Sequence, residues 1–90
     1  MAERRHVLFY EYVADILERR EPFRAEHLSG IREAQEDGRI LLAGPLGDPP
    51  HGAALVFAEQ ATAEEFAGAD PYVTNGLVTS WRVEPWTLVS

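Results

Sequence analysis

The chain has 90 residues, 46% of them hydrophobic, with fifteen acidic against eight basic side chains and a net charge of −7. So much apolar content excludes a disordered segment, and the acidic balance speaks against nucleic acid or an anionic membrane as a partner. All the basic residues are arginines, and without cysteine there is neither a disulfide framework nor a thiolate metal site, which fits a reducing, cytoplasmic setting.

A length of 90 residues predicts one domain, 1–90, small enough to bury only about two-thirds of the surface its unfolded chain would expose. The longest apolar run falls far short of the ~20 residues that cross a bilayer. The opening Met-Ala-Glu-Arg-Arg-His lacks the apolar stretch of a signal peptide. Residues 6–13, His-Val-Leu-Phe-Tyr-Glu-Tyr-Val, predict a strand that is apolar on both faces. A helical turn is expected over 15–20, anchored by Ile16 and Leu17. The segment 22–38 predicts the main helix, because Phe23, Leu28, Ile31 and Ala34 recur every three to five residues. Pro22 suits its first turn and Gly38 the position just past its end. His27 lies one turn from both Phe23 and Ile31, which aims an ionisable ring at whatever the helix packs against.

Residues 39–43 predict a second strand, ended by Gly44-Pro45 because proline cannot donate to a ladder. A loop over 48–52 then leads to a third strand over 53–59, paired as a hairpin with the second. Thr62-Ala-Glu-Glu65 matches a capping box and predicts the start of a short helix that ends near Gly68. Asp70-Pro71 is another helix start and Asn75-Gly76 its stop. Residues 77–83 predict the last strand and 85–89 a tail.

The order βαββαβ makes an α+β fold of ferredoxin-like type, a four-stranded antiparallel sheet with two helices on one face. The strands do not alternate as a half-wet sheet should: Leu8-Phe9-Tyr10, Ile40-Leu41-Leu42 and Leu55-Val56-Phe57 are each continuous apolar runs. The helix-free face is therefore expected to be covered by a second copy, giving a homodimer packed sheet to sheet.

No G-x-S-x-G, Walker or H-E-x-x-H motif is present, and His6, His27 and His51 fall on separate elements without ligand spacing, so neither a metal nor a cofactor is expected. Two readings stand for most of the remaining candidates. His27 is a general acid–base group or a buried histidine satisfied by a carbonyl. Asp70 reads first as a helix cap whose carboxylate accepts a backbone N–H in front of Pro71. Tyr10, Tyr12 and Tyr72 are phenol donors to a pocket or packing residues, and Arg24 clamps an anionic substrate or faces water. The pairs Arg4-Arg5 and Arg19-Arg20 read as solvated charge.

Four motifs in order, Arg24-Ala-Glu-His27-Leu28, Gly38-Arg-Ile-Leu-Leu-Ala-Gly44-Pro45, Asp70-Pro71-Tyr72-Val73 with Gly76, and Val83-Glu84-Pro85-Trp86, resemble the YciI-like (YCII-related) proteins over nearly the whole chain. That resemblance implies a dimeric α+β barrel, similar to muconolactone isomerases and small cofactor-free monooxygenases. It also implies a His/Asp site in a cleft near the dimer interface, matched here by His27 and Asp70. The activity it suggests is proton transfer, an elimination or isomerisation on a small, often cyclic or aromatic compound, with no cofactor. His27 would take and return the proton, Asp70 would fix the tautomer, and Tyr10, Tyr72 and Arg24 would hold the substrate. The alternative is a non-catalytic dimer that binds a small ligand or serves as an accessory subunit of a pathway enzyme.

Overall fold

The computed structural model describes residues 3–90; Met1 and Ala2, the start of the opening peptide considered above, lie outside the described residues. The elements run β1 (Arg4–Tyr12), α1 (Ile16–Arg19), α2 (Glu21–Glu36), β2 (Ile40–Leu46), β3 (Gly52–Phe57), α3 (Gln60–Ala69), α4 (Pro71–Thr74) and β4 (Val78–Thr87). The four strands form one antiparallel sheet in the order β2-β3-β1-β4, the ferredoxin-like arrangement expected. Gly38, at φ +82°, releases the chain from α2 into β2. Among the described residues no helix is long and apolar enough to cross a membrane.

Three local expectations need correction. β2 does not stop at Gly44-Pro45 but runs on to Leu46, with Pro45 opposite Ala53. β4 likewise extends through the expected tail to Thr87, with Pro85 opposite His6 and Trp86 opposite Arg5. The reason is the same for both: β2 and β4 are the two edge strands, where a residue without an N–H removes a donor only from the solvent side. The capping box at Thr62 does not form; α3 begins at Gln60, with Glu59 as an N-cap that makes no side-chain bond. Tertiary packing sets that start. Ala63 and Ala67 are wholly buried, and the earlier turn carries a Gln60–Glu64 side-chain bond of 2.9 Å across one helical step.

The core lies between the helices and one face of the sheet. Leu8, Tyr10, Leu55, Phe57 and Ile40 pack there against Ala34 of α2 and Ala63 and Ala67 of α3. These alanines let the helices lie close to the strands. α2 and α3 approach each other at Phe66, whose ring a Cβ at Gly30 would touch at 3.9 Å. The register puts Val7, Phe9, Ala54, Val56, Leu42 and Trp86 on the opposite face, away from the helices. Leu42 is 67% and Trp86 49% exposed there, and the Arg82 guanidinium lies 4.5 Å over the Phe9 ring.

Candidate active site

Asp70 is held at a break between two helices. The residue before a proline is disfavoured in the α region, so Pro71 forces Asp70 into extended geometry (φ −67°, ψ 126°), ending α3 and N-capping α4. In that conformation its carboxylate turns inward and its side chain is fully buried. Oδ1 accepts the Tyr72 backbone N–H at 3.0 Å, so the expected cap is formed. The same oxygen lies 2.8 Å from His27 Nδ1, and Oδ2 lies 3.0 Å from that nitrogen. Oδ2 also accepts the Tyr10 hydroxyl at 2.8 Å. Three donors from β1, α2 and α4 thus meet one carboxylate, the condition under which a buried carboxylate is tolerated.

His27 comes from the inner face of α2, is 6% exposed, and stacks on the Tyr72 ring at 3.7 Å with 7° between planes. An ionised carboxylate only accepts, so Nδ1 carries the proton and donates it to Asp70. Nε2 then holds a lone pair. It has no protein partner among the described residues and is not one of their sealed polar atoms, so it is open to solvent or ligand. Two cavities border His27. The one of about 210 Å³ lies beside α2, β2 and β3 and is lined by Tyr12, Arg20, Arg24, Leu55 and Tyr72 among others. The other, of about 190 Å³, lies between α2 and α3, against Phe66 and Asp70.

The expected site residues are therefore not equivalent in position. His27, Asp70, Tyr10 and Tyr72 form one contact cluster. Tyr72 and Arg24 line the larger cavity, whereas Tyr10 borders neither cavity and commits its hydroxyl to Asp70. Burial, with the Asp70 charge and hydrogen bond added, pushes the Tyr10 phenol well above its ordinary range, so it stays a neutral donor. Burial also pushes Tyr12 up to about 12, helped by Tyr72 and Asp70 and opposed by Arg20. Tyr72 is raised in the same direction, first by burial and against the pull of Arg20 and Arg24.

Arg20 is the residue that sequence reasoning passed over, as half of a solvated pair. A usable signal was present: Arg20, Arg24 and His27 are spaced i, i+4, i+7, one face of a helix, and Arg20 itself is helical as the residue joining α1 to α2. Among the described residues no group of three or more His, Cys, Asp or Glu side chains is placed to hold a metal ion.

A family model of the YCII-related domain matches residues 5–87. The chain belongs to the YCII-related family. This YCII-related protein is 32% identical over 95 residues to protein YciI of Escherichia coli O6:H1 (strain CFT073), covering 93% of this chain and 97% of that one. An uncharacterized protein of Haemophilus influenzae is 28% identical with the same coverage. Among solved structures, 5-chloro-2-hydroxyhydroquinone dehydrochlorinase from Burkholderia phenoliruptrix AC1100, in complex with 2,5-dihydroxybenzoquinone, superimposes with a TM-score of 0.73 at 21% identity, covering 91% of this chain and 92% of that one. A protein of unknown function from Nitrosomonas europaea gives a TM-score of 0.57 at 19% identity, covering 100% and 92%. These likenesses support for this YCII-related chain the ferredoxin-like α+β fold described above.

Proposed function

We propose that this protein catalyses proton transfer, an elimination or isomerisation, on a small cyclic or aromatic compound, with His27 as the acid–base group. One observation carries the reading: a histidine on a buried helix face is bonded through Nδ1 to a fully buried carboxylate while its other nitrogen is left free beside a cavity. Asp70 fixes the tautomer that puts the lone pair on Nε2, and Tyr10 holds Asp70 from behind. Nε2 removes a proton from the substrate carbon. In an elimination the leaving group departs with its bonding pair and the imidazolium proton passes to it or to water; in an isomerisation the proton returns to another atom of the same substrate. The dehydrochlorinase that shares the fold acts on a chlorinated hydroxyhydroquinone, and that choice of probe follows from it.

The test is chloride release from chlorinated hydroxyhydroquinones, together with solvent deuterium exchange into cyclic enols, for the native chain and His27→Gln. Loss of at least about a hundredfold in rate with an unchanged melting temperature is expected, the scale of general acid–base catalysis. Full turnover in His27→Gln overturns the reading. The rival, a structural or ligand-binding role, is favoured by the three-element clasp on Asp70, and it predicts a lowered melting temperature or lost affinity and no turnover in any form.

We further infer that the chain acts as one domain over 1–90 and pairs with a second copy through the open sheet face. Val7, Phe9, Ala54, Val56, Pro85 and Trp86, together with Glu84, line a shallow, mostly apolar hollow of about 410 Å³ there. A sedimentation mass of one chain at micromolar concentration would rule this out.

A further inference from the structure

We propose that the larger cavity beside His27 takes a small planar organic anion, an enolate, phenolate or ring carboxylate, whose charged oxygen is held by Arg20 and Arg24. The inference rests on the proton-transfer reading of His27 for the fate of the ligand but not for its charge. Four arginines, Arg5, Arg19, Arg39 and Arg82, are each paired with a carboxylate at 2.7–3.8 Å. Arg20 and Arg24, like Arg4 and Arg32, have no such partner among the described residues, although acidic side chains outnumber basic ones fifteen to eight; what sets Arg20 and Arg24 apart is their shared cavity. Both line the same cavity, and no Asp or Glu does.

An acidic protein that leaves two guanidinium groups uncompensated in one hollow has made a site of reversed local sign. Field lines from that hollow attract a small anion against the net charge of the molecule. Arg20 adds a sharper signal. Its Nε is sealed from solvent and has no hydrogen-bond acceptor, one of two such side-chain atoms among the described residues. That sealed donor marks a guanidinium whose charge no protein acceptor offsets at Nε, so an anion in the hollow would meet its terminal nitrogens. A planar fork suits the two lone pairs of a carboxylate or the oxygen of an enolate, as an ammonium would not.

The other polar groups agree with this sign. Tyr12 and Tyr72 also line the hollow, and both phenols are held in the neutral, donating form. Leu28, Ile31 and Leu55 supply an apolar wall for a ring. The volume, about 210 Å³, lies below the ~300–1,000 Å³ of drug-sized sites and limits the ligand to a single ring. Arg20, Arg24 and His27 share one helix face, so the positive charge and the imidazole border the same hollow.

Calorimetric titration of the full chain tests this with two pairs of probes, 2,5-dihydroxybenzoquinone against hydroquinone and benzoate against benzamide, with inorganic phosphate as a control. The anion of each pair is expected to bind at least about tenfold more tightly than its neutral partner, less so as salt rises. Arg20→Gln should remove that preference while leaving the affinity for the neutral partner and the melting temperature unchanged, and Arg20→Lys should restore part of it. Equal affinity within each pair, an unchanged preference in Arg20→Gln, binding of phosphate as tight as that of the ring anions, or no binding of any anion at millimolar concentration would each overturn the proposal. His27→Gln separates the two readings. If it keeps turnover, the proton-transfer role fails while the anion preference stands; if it loses turnover but no anion preference was ever present, the reverse holds.

Discussion

The covered and the open side of the sheet each carry an exception to the inside–outside rule. The side covered by helices contains a histidine, an aspartate and a tyrosine bonded together, all at most 6% exposed, whereas the open face leaves Leu42 and Trp86 largely exposed. Polar groups are placed where burial is costly and apolar groups where water is available. Such departures from the simple inside–outside rule tend to fall at functional or interacting surfaces, and the two exceptions here are the places to test for a ligand and for a partner.

The contrast is most severely tested at Asp70. Replacing it by alanine strands the Tyr10 hydroxyl, the Tyr72 N–H and the His27 ring, and is expected to cost about 3–5 kcal/mol in urea unfolding, as when one partner of a buried pair is removed. A loss under about 1 kcal/mol would mean that the polar cluster is incidental to the covered face. Gly52→Ala comes next, because a Cβ there would overlap the Tyr10 carbonyl oxygen, backbone that cannot swing aside. A cost of about 1–3 kcal/mol is expected, with Tyr10 displaced from Asp70.

Alkaline titration gives a smaller effect. Tyr10 and Tyr12 have folded-state phenols raised above the ordinary value of 10.0. Their contribution is complete below pH 10.0 and is lost as pH rises above it, because the unfolded chain releases these protons first. Stability measured against pH should therefore be level up to that point and fall beyond it, with a shallower fall in Tyr10→Phe. A slope unchanged by that substitution would show that Tyr10 is not sealed. Least of all should Leu42→Asp affect the fold of a chain, within about 0.5 kcal/mol, since the side chain is already in water. Its predicted effect is on assembly: light scattering should read one chain instead of two, and an unaltered mass would remove the open face from the argument.

Much of this was readable from residue order. The period of Phe23, Leu28, Ile31 and Ala34, the Asp70-Pro71 start and the order of strands and helices led to the ferredoxin-like sheet, whereas the pairing of His27 with Asp70 came from the resemblance to the YCII-related proteins and not from residue spacing. What was not readable depends on neighbours distant in sequence. Pro45 and Pro85 look like strand terminators until their strands are known to be at the edges. Thr62 and Glu65 look like a cap until Ala63 and Ala67 are seen to require α3 to begin sooner. Tyr10 looks like ordinary strand packing because nothing near it in the chain shows that Asp70, sixty positions later, will accept its proton. Arg20 was hidden by Arg19 beside it, which does pair with Asp15 at 3.8 Å and points away from the cavity.

The two strand prolines have a consequence for the crowded conditions under which proteins meet. Unprotected sheet margins invite endless head-to-head growth, the first step toward fibrils. Here each margin carries a residue that cannot extend the ladder, Pro45 on one side and Pro85 on the other. Lateral addition is thus discouraged at both borders, so any self-association is directed away from the sheet margins.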